Sequence, residues 1–235
     1  MMANRETGKH GRTSRLVARL ACANRCAEYA ILGAGLDTFA YRNPFAGEGL
    51  RVFEVDIPGT QAWKRDLLSR TRIAEPPSLA FVPVDFERQS LAGELAAAGF
   101  RDDMPAFFSW LGVTMYLTRE AVLATLAFVA SRPAGSGITF DYMVPPRHLP
   151  WFRRIGFYFL ARRLAAIGEP WTTWLEPDVL AGDLRSMGFT SLEDLGGPAL
   201  NRSLFGGKEK RVGGTSVARV VTAWNRREAW LVHVR

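Results

Sequence analysis

Short apolar runs alternate with amphipathic segments along the first 142 residues of the chain. The runs are rich in β-branched and aromatic residues, a pattern typical of buried strands. They predict strands at 29–32, 50–56, 79–84, 106–111 and 137–142. The segments between them have helical spacing and predict helices at 60–72, 90–98 and 118–131. This alternation predicts an α/β fold, a doubly wound parallel sheet with helices on both faces.

The alternation breaks after the fifth predicted strand. Pro145 and Pro146 interrupt it, and a long amphipathic stretch at 149–167 leads to Trp171 and Trp174. The remaining pattern predicts a helix at 177–187 and strands at 190–195 and 216–223. A long insertion before the sixth strand is the natural place for an element that covers a substrate.

The chain contains no internal repeat or low-complexity segment, and its Pro and Gly residues fall between apolar runs. We therefore predict a single domain over 1–235. Within it, we expect 1–26 to be a short N-terminal helical segment and 145–175 to be the substrate cover. The tail at 224–235 has no obvious place in the predicted sheet.

Composition sets the class of protein. The 235 residues are 48% hydrophobic and 23% charged, which excludes a disordered chain, a collagen and a disulfide-stabilised mini-protein. The net charge of +7 comes mainly from Arg residues dispersed along the chain. Nucleic-acid binding favours basic residues clustered on one face, and the hints of a cluster are Arg226 and Arg227 beside Trp224 and Trp230. No nucleic-acid partner is therefore expected.

The two cysteines, Cys22 and Cys26, lie about one helical turn apart. Two thiols alone complete neither a metal site nor a disulfide framework, so we expect reduced thiols and no metal. The basic stretch at 1–15 is not followed by an apolar segment of signal-peptide length. The most apolar stretch, 155–161, lies between pairs of Arg and is too short to cross a bilayer. These features predict a cytoplasmic protein without stable membrane insertion.

A glycine-rich turn follows the first predicted strand. Gly33, Ala34 and Gly35 would let a ligand approach the backbone and would expose the N-terminal amides of a following helix. A dinucleotide fold favours Gly or Ala three residues after Gly35, where this chain has Thr38. The turn therefore suits a nucleoside cofactor without a pyrophosphate better than NAD. The alternative is that Asp37 or Thr38 only caps a helix.

Acidic residues follow the next two strands. Asp56 ends the second strand about twenty residues beyond the turn, where a carboxylate accepts both ribose hydroxyls of a nucleoside. Glu54 is the alternative, on the same face but one pleat deeper. After the third strand, Asp85 and Phe86 could face an adenine amino group and ring; the other interpretation is a loop cap and a core residue. The three features meet at the carboxyl ends of consecutive strands, which favours the cofactor interpretation.

Three motifs resemble a known family. They are Leu-Gly-Ala-Gly-Leu-Asp-Thr-Phe-Ala-Tyr-Arg at 32–42, Val-Phe-Glu-Val-Asp at 52–56 followed by Pro58, and Gly-Val-Thr-Met-Tyr-Leu at 112–117. The sequence is similar to S-adenosylmethionine-dependent methyltransferases of the leucine carboxyl methyltransferase type, in particular their bacterial O-methyltransferase branch. The resemblance runs from about Arg12 to Ala223. It implies a Rossmann-like class I sheet, S-adenosylmethionine as cofactor and a small-molecule methyl acceptor.

The resemblance also implies the cofactor-binding residues. Gly33, with Ala34 and Gly35, would contact the cofactor, and Asp56 would hold its ribose. Asp85 and Phe86 would flank the adenine, as the family's acid and apolar residue do after the third strand.

Two positions match the family less closely. The family Arg that pairs with the methionine carboxylate corresponds to Arg12, with Arg15 as the alternative. Where many members have Glu before the Gly-Val of the third motif, this chain has Leu111, so a backbone contact is expected there. Only about thirty residues precede Gly33, which implies a reduced lid or a truncated start.

The activity consistent with these features is O-methylation of a small molecule, with a carboxylate or a polyketide-like hydroxyl as the accepting group. A cofactor-binding protein without turnover is the alternative, and an NAD-dependent oxidoreductase is a weaker one. No catalytic residue is assigned, and the oligomeric state is left open. The candidate cleft residues, each with a structural role as the favoured interpretation, are Tyr116, Asp141, Tyr142 and His148.

The segment 145–174 is predicted to cover the methyl end of the cofactor and to select the acceptor. Trp151, Trp171 and Trp174 would pack this cover over the sheet or, as the second interpretation, form an aromatic wall for an apolar acceptor. Arg on the same segment could hold a substrate carboxylate. The alternative for the amphipathic stretch is a helix that lies on a membrane surface.

Overall fold

A computed structural model describes residues 26–166, 168, 170–197, 199–200 and 217–225. Seven strands form one sheet in the order β3-β2-β1-β4-β5-β7-β6. The strands are β1 (Glu28–Leu32), β2 (Arg51–Asp56), β3 (Leu79–Pro83), β4 (Ala106–Trp110), β5 (Gly137–Met143), β6 (Ser191–Gly196) and β7 (Ala218–Trp224). The α-helices are α1 (Pro58–Arg70), α2 (Leu91–Ala97), α3 (Arg119–Ala130), α4 (Trp151–Ala166) and α5 (Pro177–Met187). The predicted α/β fold class is confirmed.

The chain reverses its direction across the sheet at β1. Strand β1 pairs in parallel with β2 on one side and with β4 on the other. Leu32 at its carboxyl end lies opposite Val55 of β2 and Trp110 of β4. Open α/β sheets bind ligands outside the carboxyl ends of their strands at such a reversal. The fold therefore predicts a ligand site at the turn after β1.

Apolar side chains cover both faces of the sheet. On one face, the core includes Phe53, Phe108 and Phe140 together with Leu126 of α3 and Leu184 of α5. The opposite face buries a second cluster with the following members: Tyr29, Ile31, Val52, Phe107 and Trp224. Helix α5 ends at Gly188, whose φ of 108° favours glycine. No described helix is both long enough and apolar enough to span a bilayer.

Strand β7 runs antiparallel to its neighbours β5 and β6 and includes Trp224, which the sequence assigned to a tail. The indole packs on Phe107 with ring centroids 4.8 Å apart and is nearly fully buried. Asn225 follows it and donates hydrogen bonds to the carbonyls of Ala130 (3.0 Å) and Arg132 (2.7 Å). The prediction of a tail from 224 is therefore wrong for these first residues, because their partners lie in β4, at the end of α3 and in the loop that follows α3.

Gly137, the first residue of β5, leaves room for the Trp224 indole. A Cβ at this position would lie 2.4 Å from a ring carbon of Trp224 and 2.9 Å from the carbonyl oxygen of Ala223. Both groups belong to the paired strand and are held by the sheet. The join between β5 and β7 therefore depends on the absence of a side chain at Gly137.

Replacing Gly137 with Ala is expected to lower the free energy of unfolding by about 1–3 kcal/mol, because the new methyl group overlaps the Trp224 ring. Urea unfolding at equilibrium measures this change. Gly182→Ala is the matched control, since Gly182 lies within α5 with open space around its missing Cβ. That variant should gain about 0.5–1 kcal/mol from helix propensity. Equal stability of the two variants would contradict the packing of β7 against β5.

Candidate cofactor site

The turn after β1 begins with a glycine, Gly33, at the point where the chain leaves the sheet. Gly33 and Gly35 have φ of 68° and 46°, a region that favours glycine. The amides of Gly33 and Ala34 both donate to the carbonyl oxygen of Val55, at 2.8 and 3.0 Å. A Cβ at Gly33 would lie 2.2 Å from Cγ2 of Val113 in the loop after β4. The turn is therefore confined between β2 and that loop.

The predicted contribution of a helix terminus to this turn is wrong. The chain after the turn forms a 3₁₀ turn at Ala40–Arg42 and another at Ala46–Glu48 before β2 begins. Asn43, which closes the first of these, is extended and precedes Pro44, and the residue before a proline disfavours helical backbone. The amides that a ligand could meet here belong to the glycine turn itself.

Asp56 joins the end of β2 to the glycine turn. One carboxylate oxygen, Oδ2, accepts from the Gly35 amide at 2.6 Å, and Oδ1 accepts from the Ile57 amide at 2.8 Å. The residue is only partly buried. Since a carboxylate has about four acceptor positions, each oxygen retains capacity for a ligand hydroxyl. The structure thus brings together Asp56 and the turn formed by Gly33, Ala34 and Gly35.

Glu54 lies one pleat deeper and is almost fully buried, with 1% exposed. Its Oε2 atom lies 2.6 Å from Nζ of Lys64 in α1, and Lys64 also donates to the Asp37 carbonyl at 2.7 Å. Burial raises the pKa of Glu54 to about 7; the Lys64 ammonium opposes this shift, and the carboxylates of Asp37 and Asp56 add to it. Glu54 is closed to solvent and belongs to the interior.

Asp85 and Phe86 follow β3 beside Asp56, since the amide of Val84 donates to the Asp56 carbonyl at 2.8 Å. Asp85 Oδ1 accepts from the Glu87 amide at 3.0 Å, so the carboxylate caps the loop, while 37% of the side chain is exposed. Phe86 packs against Trp110 with ring centroids 5.7 Å apart. Asp85 therefore acts as a loop cap and Phe86 packs against the core, but part of the Asp85 carboxylate is still exposed.

Leu111 follows β4 and is half-buried at the start of the loop that carries Val113. The next amide, of Gly112, donates to Oδ1 of Asp141 at 2.7 Å, and the Thr114 hydroxyl donates to the Asp141 carbonyl at 2.6 Å. Asp141, a candidate cleft residue, thus fixes the loop after β4. Arg12 and Arg15, the predicted partners of a cofactor carboxylate, lie outside the described residues.

Tyr142 does not face the carboxyl edge of the sheet, in contrast to its place among the candidate cleft residues. It is 1% exposed, and its hydroxyl donates to Oδ2 of Asp194 in β6 at 2.7 Å. Asp194 is also paired with Arg219 of β7 at 3.0 Å. Burial, together with the Asp194 carboxylate, raises the pKa of Tyr142. This side chain joins three strands and takes no part in the candidate site.

The other two candidates, His148 and Tyr116, are both exposed. His148 Nε2 lies 2.8 Å from Oε2 of Glu176, which also pairs with Arg147, so this cluster connects the start of the inserted segment to the start of α5. Tyr116 is 40% exposed on the loop after β4. Its position keeps it as a candidate to face a substrate.

Comparison with known proteins places the chain in a family. The family model described as leucine carboxyl methyltransferase matches residues 9–130, more than half of the chain. The chain belongs to the leucine carboxyl methyltransferase family. The "Putative S-adenosyl-L-methionine-dependent methyltransferase YktD" of Bacillus subtilis is 34% identical over 183 residues, which cover 77% of this chain and 60% of that protein. A protein with the same description, SCO7813 of Streptomyces coelicolor, is 33% identical over 114 residues, 48% of this chain and 40% of that protein.

Solved structures share the fold of this family member. A methyltransferase structure from Thermobifida fusca superposes with a TM-score of 0.64 at 17% identity, covering 97% of this chain and 84% of that one. Human N-acetylserotonin methyltransferase in complex with SAM gives a TM-score of 0.51 at 15% identity, covering 95% and 57% of the two chains. At these identities the likeness shows the fold alone, a class I methyltransferase sheet.

Sequence reasoning missed Lys64, the residue that connects this family's glycine turn to the interior. On the buried face of α1, Lys64 is preceded by Gln61, whose side-chain amide donates to the carbonyls of Glu54 (2.7 Å) and Val82 (2.9 Å). The signal was the spacing of Gln61, Lys64 and Leu68, which places polar residues at core positions of a helix. Polar side chains on a buried face need partners, and here those partners are the sheet and the turn.

The burial of Glu54 should make the free energy of unfolding depend on pH. Because the pKa of Glu54 is about 7 in the folded protein and 4.5 ordinarily, the folded state holds this proton more tightly. The contribution of Glu54 to the free energy of unfolding is therefore fully present below about pH 4.5 and is lost as the pH rises through about 7.

Glu54→Gln should remove this loss, so its stability relative to the wild type should rise between about pH 5 and about pH 8. Urea unfolding at several pH values measures the slope. Asp66→Asn, on the helix α1 that carries Lys64, is the control, since the Asp66 side chain is 62% exposed and its ion pair with Arg70 is a surface pair. If Glu54→Gln and Asp66→Asn both follow the wild-type slope, the assignment of a raised pKa to Glu54 is wrong.

Proposed function

We propose that the chain is an S-adenosylmethionine-dependent O-methyltransferase that acts on a small molecule. The observation that carries this proposal is the hydrogen bond by which Asp56 holds the glycine turn at the reversal of the sheet. Asp85 and Phe86 follow the neighbouring strand, whose end is bonded to Asp56. The names of the family relatives support the cofactor, and the human enzyme of the same fold is described in complex with SAM. The chain spans 60% of the length of YktD.

The residues present fit the cofactor. Asp56 has carboxylate lone pairs left for the two ribose hydroxyls, and Gly33 and Gly35 carry no side chain that would keep a ligand from the backbone of the turn. Asp85 and Phe86 would flank the adenine at the end of β3. The backbone at Leu111 would lie beside the methionine part, whose carboxylate Arg12 would bind.

When bound, S-adenosylmethionine supplies a methyl group on a sulfonium sulfur, open to in-line displacement by an oxygen nucleophile. The protein contributes mainly by holding the acceptor oxygen in line. A carboxylate acceptor needs no base, whereas a hydroxyl must lose its proton. Tyr116 is exposed on the loop that Asp141 fixes and would contact the acceptor in this proposal.

The second candidate function is binding of the cofactor without methyl transfer. Leu111 stands where many family members have an acidic residue, and it cannot supply a charged side-chain contact. A chain that binds the cofactor without transferring the methyl group would fit this substitution. A dinucleotide enzyme fits less well, because Thr38 replaces the small residue that a pyrophosphate turn favours.

The inserted segment supplies the acceptor side of the proposed site. The amides of Thr172 and Thr173 donate to the Met115 carbonyl at 2.8 and 3.3 Å, and the Leu175 amide donates to the Met143 carbonyl at 2.9 Å. These bonds join the segment to the loop after β4 and to the end of β5. It therefore lies beside the loop that carries Leu111 and Tyr116.

Within this segment, aromatic residues attach α4 to the stretch that contains Trp171 and Trp174. Phe157 is buried and stacks on Trp171 with centroids 5.4 Å apart, and it meets Trp174 edge-on at 5.5 Å. Other apolar side chains of α4 are exposed: Trp151, Phe152, Ile155, Tyr158 and Phe159. An acceptor with an apolar body would match this composition, and the absence of Asp and Glu from α4 suits an acidic acceptor.

The cofactor proposal is tested by titrating the purified chain with S-adenosylmethionine, S-adenosylhomocysteine and NAD in calorimetry and thermal-shift assays. A ligand at a hundred times its Kd stabilises a protein by about 2.7 kcal/mol, so binding of the first two should raise Tm. Asp56→Ala should weaken S-adenosylhomocysteine binding by at least about tenfold, because a charge-assisted hydrogen bond is lost. Asp66→Ala, exposed on α1, should bind as the wild type does. Stabilisation by NAD alone would contradict the proposal.

The acceptor proposal is tested by replacing Trp171 and Trp174 singly with Ala. Turnover or the choice among carboxylate and hydroxyl acceptors should change, while the affinity for S-adenosylhomocysteine stays within about twofold of wild type. Activity is measured as S-adenosylhomocysteine release against a panel of such acceptors. Val179→Ala, at an exposed position of α5, serves as the surface control. Joint loss of cofactor affinity and folding, without any change in acceptor choice, would assign these tryptophans to the core.

A further inference from the structure

The buried ammonium group of Lys64 holds the glycine turn through a hydrogen bond to its main chain. Lys64 is 4% exposed and Glu54 is 1% exposed. The Lys64 ammonium lies 2.6 Å from Oε2 of Glu54, 2.7 Å from the carbonyl oxygen of Asp37 and 5.5 Å from the ring centroid of Tyr41. The ammonium therefore has three partners, and one of them is the main chain of the turn.

Stability alone does not account for this arrangement. Burying two charges costs free energy that their attraction often fails to recover, and apolar residues of similar size frequently stabilise as well. The other carboxylate oxygen of Glu54, Oε1, is buried without a hydrogen-bond partner among the described residues, which adds to the cost. A costly buried pair that contacts a ligand-binding turn indicates a role in positioning that turn.

The turn is closed on itself and tied to the rest of the fold at separate points. The Asp37 amide donates to the Ala34 carbonyl at 2.7 Å, and Asp37 Oδ1 accepts from the Phe39 amide at 2.6 Å. Asp56 of β2 holds the turn at Gly35, and Lys64 of α1 holds it at Asp37. Releasing Lys64 would remove the hydrogen bond that joins the Asp37 carbonyl to α1.

We propose that Lys64 and Glu54 form a positioning pair for the cofactor turn. Glu54 fixes the Lys64 ammonium, and Lys64 fixes the Asp37 carbonyl, so that the backbone at 33–37 stays in place for the cofactor. Neither side chain touches the cofactor in this arrangement, and both act through the turn. The inference deepens the proposed function and rests on it for its effect on binding.

Gln61 provides a matched control on the same face of α1. It is buried, as Lys64 is, but its side-chain amide bonds the carbonyls of Glu54 and Val82 in the sheet and not the turn. A merely structural role for Lys64 predicts that Lys64→Met and Gln61→Met behave alike. A positioning role predicts that they differ at the turn.

The experiment compares Lys64→Met, the double variant Glu54→Gln/Lys64→Met, and Gln61→Met. The double variant leaves no unpaired buried charge, so it keeps the test available if the single variant fails to fold. Urea unfolding gives the stability of each. Calorimetry gives the affinity for S-adenosylhomocysteine, and hydrogen exchange of the ligand-free protein reports the turn amides at 33–42.

We expect the double variant to bind S-adenosylhomocysteine at least about tenfold more weakly than wild type and to exchange faster at 33–42. Gln61→Met should lose stability but keep wild-type affinity and exchange at the turn. Wild-type exchange at 33–42 in a folded Lys64 variant overturns the inference, whatever the ligand result. If wild type itself does not bind S-adenosylhomocysteine, the proposed function fails, while faster exchange in the double variant but not in Gln61→Met would still support positioning of the turn by Lys64.

Discussion

The position of β1 between two parallel partners is the constraint on which the site depends. Leu32 is level with Val55 on one side and with Trp110 on the other, so three strands end at the same height. The chain has to leave the sheet in the narrow space between the Val55 carbonyl and the Val113 side chain. Glycine at 33 satisfies both the space and the positive φ. Asp56, the last residue of β2, then contacts the turn, and the end of β3 lies next to Asp56.

Depth in the sheet separates two carboxylates that share one face of β2. Glu54 and Asp56 are two residues apart, so both point to the side on which α1 packs. One pleat of additional depth closes Glu54 to solvent and requires a charged partner, which α1 supplies as Lys64. Asp56 stays at the edge, where its partners are the backbone amides of Gly35 and Ile57 and the residue is only partly buried. The same chemical group is structural at one position and available to a ligand at the next.

Much of the fold could be predicted because its strands are local apolar runs. All seven predicted strands are present, the first five parallel, and the helices at 90–98, 118–131 and 177–187 lie within two residues of their predicted ends. The glycine turn and Asp56 could also be predicted to meet, since their separation follows from the strand pattern alone. Whether the cofactor binds there remains a prediction for Gly33, Ala34, Gly35, Asp56, Asp85, Phe86 and Leu111, and Arg12 lies outside the described residues.

What the sequence could not give depends on partners distant along the chain. Tyr142 follows the fifth-strand pattern, but its hydroxyl is taken by Asp194, fifty-two residues later, on a strand whose neighbours a periodic pattern does not specify. The spacing of Lys64 with Leu68 indicates its helix face, but its partners, Glu54 and the Asp37 carbonyl, lie on other elements. Trp224 follows the last apolar run and is buried through contacts with Phe107 in β4, a strand near the middle of the sequence. Each error concerns a pairing between elements, which local periodicity does not contain.

The two halves of the proposed site are held by different kinds of interaction. The cofactor half is fixed by short hydrogen bonds of buried or partly buried backbone, from Asp56, Lys64 and the Val55 carbonyl. The acceptor half is attached through the Phe157, Trp171 and Trp174 cluster and through carbonyls of the loop after β4. Aromatic packing tolerates changes of shape better than a backbone turn tolerates an added side chain. On the proposed function, substitutions in α4 would therefore alter which acceptor is admitted while the turn that would hold the cofactor keeps its geometry.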